Sequence, residues 1–106
     1  MRFYRNIYVS DSLRDQLWKI KWKLKHHKFM PGIYVIVLPE YSNELEFYHC
    51  KYLQQNYYKK HAPCIVGIAN SWEESCKLIA KMMIDSFEQY GSYCVGEYIR
   101  NSVSNY

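Results

Sequence analysis

The chain lacks any long hydrophobic run. Its longest, "IYVIVL" at 33–38, spans about one third of a bilayer. The start, "MRFYRNIYVSDSL", has no apolar h-region of the kind that directs export. Together these absences lead us to expect a soluble, cytoplasmic protein with no membrane attachment. Close-spaced cysteine motifs are absent as well. Cys50, Cys64, Cys76 and Cys94 lie far apart and form no C-x-x-C, and the sequence around them is not the dense turn sequence of a disulfide-stapled secreted domain. Free thiols in a reducing compartment are expected. No internal repeat or low-complexity segment is present, which excludes repeat arrays.

What is there fits one packed domain. At 106 residues the chain can bury one core of its own but not two. We expect a single globular domain over 1–100 and a polar tail, 101–106, that frays. Apolar residues make up 49%, and 12 tyrosines help bring the aromatic share to 18%, a composition unlike that of disordered chains. The formal charge is +4, and its location is informative. Arg14, Lys19, Lys21, Lys23, Lys25 and Lys28 face only Asp11 and Asp15 within 11–28. The whole net charge therefore sits in that segment, and the rest of the chain is balanced.

The same segment poses the main local question. Read as a strand, "QLWKIKWKLKHHKF" at 16–29 alternates cleanly between large apolar residues and lysines. Read as a helix, it has a seam of Leu13, Leu17, Ile20 and Leu24 that leaves Trp18 and Trp22 on the far side. Local signals favour the helix. Ser10, Asp11 and Ser12 are N-cap candidates, Asp11 and Asp15 place negative charge at the start, and lysines gather toward the end. "FMPG" then stops it, and Ile20 is the one β-branched residue between 13 and 28.

Around this helix the pattern gives a mixed sheet. "FYRNIYV" at 3–9 reads as a strand near an edge, because Arg5 and Asn6 interrupt it. The apolar runs 33–38 and 64–70 read as strands covered on both faces. "PEYSNE" is a turn that returns "LEFYHC" as an antiparallel partner, and 51–61 is a short helix. Ser71 and Glu74 form a capping box for a second long helix that Gly91 ends. Its core face is expected from Trp72, Cys76, Ile79, Ala80, Met83, Phe87 and Tyr90, which recur at helical spacing. A last strand is expected at 93–99. The fold class is therefore α/β, an α+β mixed sheet of four or five strands with two long helices and one short one, built from split βαβ units.

The run "LEFYHCKYLQQNYYKKHAPCIVGIANSWEESCKLIAKMM" resembles small bacterial proteins in which a helix containing tyrosine and lysine leads into a "VVGIA" strand and an acidic-started helix. The resemblance covers about residues 7–99. It implies the architecture and carries no activity, cofactor or site residue.

Catalytic patterns are weak. His49, Cys50, His61 and Cys64 lie within sixteen residues, but adjacent strand residues point to opposite faces, so His49 and Cys50 cannot easily share a zinc ion. The bland reading, small buried thiols and surface histidines, is preferred. Cys64 and Cys94 fall inside apolar strands and Cys76 on a core face, where burial makes a thiol inert. The acidic pairs Glu44/Glu46 and Glu73/Glu74 serve a turn and a helix start. The junction "GIANSWEE" lacks a phosphate-binding glycine pattern, and its own glutamates oppose an anion. No catalytic residue, metal ligand or cofactor is assigned.

The tryptophans point to binding instead. Two bare indoles on one helix are unusual for a monomer. Segment 51–61 could cover them; they could anchor a homodimer or another protein; or they could stack on nucleic acid or rest at a membrane interface. The reading adopted is a non-enzymatic module, a homodimer or protein binder, presenting Trp18, Trp22, Lys19, Lys25, Tyr57 and Tyr58. The alternative is RNA or single-stranded DNA binding through the same groups, with Tyr4, Tyr8, Lys59 and Lys60 added. Should both long helices share one sheet face, the other would need the short segment or a second copy to cover it.

Overall fold

A computed structural model describes residues 2–28, 30–39 and 43–103, and their side chains except at 56, 59 and 101–103. The chain begins with strand β1 (Arg2–Val9), a 3-10 helix (Asp11–Gln16) and α1 (Leu17–Lys25). Strands β2 (Tyr34–Leu38) and β3 (Glu46–His49) follow, then a 3-10 helix (Cys50–Gln54) and α2 (Asn56–Lys60). Strand β4 (Cys64–Ala69) leads into α3 (Trp72–Tyr90) and α4 (Val95–Val103).

The four strands form one mixed sheet in the order β1-β4-β2-β3. β1 runs parallel to β4, while β2 is antiparallel to both β4 and β3. Strands β3 and β4 thus point the same way with β2 between them, a split βαβ unit closed through α2. β1 and β2 are antiparallel across β4, so the α1 connection is not a parallel crossover. β1 lies at a sheet edge, as its polar interruption implies, and its register against β4 shifts between Phe3 and Tyr8. β4 carries an irregularity too: Ile36 pairs with Gly67, but Val37 pairs with Ile65. The extra residue, Val66, is a bulge that breaks the strict alternation of faces.

Two apolar cores result, one on each face of the sheet. On the first, Leu13, Ile20 and Leu24 pack over Val35, Val37, Ile65 and Ile68, with Leu53 from the second 3-10 helix beside them. On the second, Met82, Val95, Tyr98 and Ile99 pack over Tyr4, Ile36, Leu38 and Val66. The alternation along β2 separates them, since neighbouring strand residues point to opposite faces. The helical reading of the Trp/Lys run therefore holds, with its leucine and isoleucine seam facing inward. The long helices α1 and α3 lie on opposite faces, so neither face needs a second copy merely to close it.

Three expectations change. The region 93–99 is not a strand. Val95, Tyr98 and Ile99 are buried at i, i+3 and i+4, a helical period that tertiary packing selects over the local β preference of Tyr, Val and Ile. Helix α4 also carries the backbone of 101–103, the first half of the expected tail, while 104–106 lie outside the described residues.

The third change is the rotation of α3. Its buried residues are Ser75, Met82 and Ser86, about a quarter-turn from the expected face. Two serines let the helix lie close to the sheet, where Gly67 makes room: a Cβ there would come within 2.8 Å of Ile36 Cδ1 and 3.1 Å of Met82 Cε. Most of the expected face is left toward solvent, with Trp72, Met83, Phe87 and Tyr90 exposed and Cys76 and Ile79 half-buried. The ends of the helix are as the sequence implies. Ser71 Oγ accepts from Glu74 N–H at 3.1 Å, and Gly91 closes it at φ +72°. The turn expected at 39–44 falls partly on 40–42, outside the described residues, as does Phe29 of "FMPG".

Candidate interaction surface

Helix α1 is pinned by one face and open on the other. With Leu17, Ile20 and Leu24 turned to the sheet, residues 18 and 22 must project almost directly away from it. Trp18 is 72% and Trp22 51% exposed. The Trp22 ring stacks on His26 with centroids 4.2 Å apart, and His26 Nδ1 lies 2.8 Å from the Trp22 carbonyl oxygen. Lys19 Nζ sits 6.0 Å over the Trp18 ring. On the other flank, Lys21 and Lys25 Nζ lie 5.5 and 5.7 Å over the Phe3 ring of β1. These cation–π contacts hold the lysines as a collar around the indoles. The helix sequence, LWKIKWKLK, contains no acid, so the collar is of one sign.

The described side chains of segment 51–61 do not cover the indoles. Gln54 Nε2 donates to the His27 carbonyl at 3.3 Å, tying the second 3-10 helix to the end of α1 rather than to its outer face. Tyr58 packs on Tyr48 of β3 at 5.6 Å, and Tyr57 packs on Tyr58 and His61 at 5.1 and 5.2 Å. Tyr57 and Tyr58 thus form a separate aromatic cluster by β3, with Tyr57 exposed and Tyr58 half-buried. Lys60 is exposed. The side chain of Lys59 lies outside the described residues.

Tyr4 and Tyr8 share a strand face as expected, but that face is the floor of the second core. Tyr4 is buried, and Tyr8 is half-buried and donates its hydroxyl to Asp85 Oδ2 of α3. Burial, helped by that carboxylate, pushes the Tyr8 phenol well above its usual range. Tyr4 presents no face for base stacking, and Lys81 Nζ of α3 lies 6.0 Å over the Tyr8 ring.

No family model matches the chain, and neither the curated proteins nor the solved structures contain a match. Its function must be read from its own side chains.

Other candidate chemistry can be placed one group at a time. A groove of about 820 Å³ runs along the outer edge of β1, lined by Arg5, Tyr8, Arg14, Lys77, Lys81 and Asp85 among others. Arg14 pairs with Asp11 at 3.0 Å and Lys77 with Glu74 at 3.7 Å, so part of its charge is already matched, and its phenol is held neutral.

His49 and Cys50 diverge. His49 Nδ1 accepts from Lys51 N–H at 3.1 Å, while Cys50 is buried with Sγ 3.5 Å from the Met30 carbonyl. Among the described residues no group of three His, Cys, Asp or Glu side chains is placed to hold a metal ion. Burial raises the thiol pKa of Cys50 and of Cys64. Cys94 is exposed rather than strand-buried, because its segment is the lead-in to α4. No described helix is long and apolar enough to cross a membrane.

What sequence reasoning missed is the bare side of α3. The signal was present as a width: the apolar arc from Leu78 through Ile79, Trp72, Met83, Phe87 and Ala80 to Ile84 is far broader than one sheet contact can bury.

Proposed function

We propose that the chain is a non-enzymatic protein-binding module of the cytosol that docks an acidic, apolar-bearing protein segment on the outer face of α1. The observation carrying this reading is the pair of outward indoles, both more than half bare, inside a collar of lysines with no acid on the helix. Tryptophan is enriched at interface hot spots, and the lysines around these two form a charged rim. The single sign of the collar favours an acidic partner and opposes self-pairing through this face, since like charges brought together are costly. Trp18, Trp22, Lys19 and Lys25 carry the docking; Tyr57 and Tyr58 form a second cluster that a long partner could reach. The nucleic-acid reading is weakened by the burial of Tyr4 and by the bond that ties Tyr8 to Asp85; it keeps exposed Lys60 beside the groups it shares with the protein-binding one.

The test is a titration of the full chain, followed by the anisotropy of a fluorescent label on the ligand, against an acidic amphipathic peptide of Glu and Leu and against single-stranded oligonucleotides at low and moderate salt. The peptide should bind, and Trp18→Ala/Trp22→Ala should weaken it at least tenfold, about the loss of one hot spot. Tight oligonucleotide binding with a steep salt dependence and no peptide binding would replace this reading with the nucleic-acid one.

A further inference from the structure

We propose that the bare side of α3, with the segment leading into α4, is the surface on which two copies of this chain pair about a two-fold axis. This surface lies on the opposite side of the sheet from α1 and does not depend on the function proposed for that helix.

The area approaches what a pair needs. Trp72, Met83, Ile84, Phe87, Tyr90 and Tyr93 are each between 40% and 59% exposed. At about 200 Å² for a large side chain they leave on the order of 600 Å² of mostly apolar surface uncovered. That is at the upper end of what monomers keep bare, roughly 300–600 Å². It approaches the roughly 800 Å² that each partner buries in a stable complex, and the half-buried Cys76 and Ile79 extend it.

The patch is preorganised. Phe87 and Tyr93 stack with centroids 4.8 Å apart, and Trp72 leans on Phe47 at 5.8 Å. Beside Met83 a groove of about 390 Å³, floored by Leu45 and Ile79, opens between α3 and the start of α4. It is a recess for a protruding ring.

The order of side chains along the helix favours a second copy as the occupant. Rings stand at both ends, Trp72 at the start and Phe87 and Tyr90 at the finish, while the small Ala80 lies near the middle of a helix running from 72 to 90. An antiparallel pair crossing at Ala80 sets Trp72 of each copy against the Phe87/Tyr90 end of the other. The small residue permits a close approach of roughly 8–10 Å between axes. Such an interface uses the same patch twice, as two-fold symmetry demands.

The border of the patch carries both signs, Glu73 and Glu88 with Lys77 and Lys81, so its net charge is zero and no single-signed field keeps two copies apart. The collar of α1, by contrast, has one sign and would repel its own copy.

Sedimentation of the full chain at about 100 μM, where even a micromolar pair is mostly formed, should give twice the mass of one chain. Met83→Glu and, separately, Phe87→Glu should each weaken the pair at least tenfold with an unchanged far-ultraviolet spectrum, as both side chains are exposed. Trp18→Ala/Trp22→Ala should leave the mass at two copies. A monomer for wild type at that concentration overturns the proposal. So does a pair whose dissociation on dilution is shifted less than tenfold in concentration by both α3 variants, or one that the α1 variant abolishes.

Discussion

Tyr8 stands where β1 meets α3, with its hydroxyl donating to Asp85. Burial is the larger cause of its raised pKa and the carboxylate adds to it; Tyr48, on the other face, is raised chiefly by burial. An unfolded tyrosine releases its proton near pH 10. The folded chain therefore holds these protons at a pH where the unfolded chain has lost them. Their contribution to stability is complete below about pH 10 and is lost as pH rises beyond it toward the folded-state values. Urea midpoints should fall steeply above about pH 10, and tyrosinate absorbance should lag for three rings, since burial raises Tyr98 as well, until the protein unfolds. Tyr8→Phe/Tyr48→Phe should flatten the alkaline limb. An unchanged slope in that variant would mean that other groups set it.

At the scale of elements, α4 shows best why local sequence was an incomplete guide. A glycine at its second position and the β-preferring Tyr93, Val95, Tyr98 and Ile99 favour a strand by propensity, and the decisive facts are distant. A Cβ on Gly96 would collide with the backbone carbonyl of Asn43. Arg100 then closes the contact, donating from Nε to Asn43 Oδ1 at 2.6 Å and from Nη2 to the Pro39 carbonyl at 2.7 Å. Gly96→Ala should cost about 1–3 kcal/mol, the usual penalty of overpacking, and lower the Tm by several degrees; a wild-type Tm would show that the contact is not needed.

Elements with short-range punctuation were legible: the Ser71 cap and Gly91 stop of α3, the seam of α1, and the two-sided β2 and β4. Which part of a wide apolar arc would turn inward was not, because it depends on Ser75 and Ser86 fitting against the bulged strand β4. The exposure of Trp18 and Trp22 followed directly from the seam opposite them. The inward turn of Tyr4 and Tyr8 did not, since a strand's two faces are equivalent until helices are placed on them.

For the whole molecule, the sheet separates two unlike surfaces and joins two cores. One side presents the positive collar of α1, and the other the apolar side of α3 with a border of both signs, so copies that pair through α3 leave their basic faces pointing outward. Both cores hang on the same strands: Val35 and Val37 of β2 belong to the first, and Ile36 and Leu38 to the second. Loosening either face must disturb the backbone that supports the other. Ile20→Ala and Met82→Ala, one from each core, should each destabilise by about 2–5 kcal/mol. In both variants the far-ultraviolet spectrum and the indole fluorescence should still change in a single coincident transition. The fluorescence test is a fair one because Trp18 and Trp22 report from α1 while Trp72 reports from the start of α3. If the copies pair, the midpoint should also rise with protein concentration. Two separated transitions, with one core melting before the other, would mean that the shared strands do not couple them.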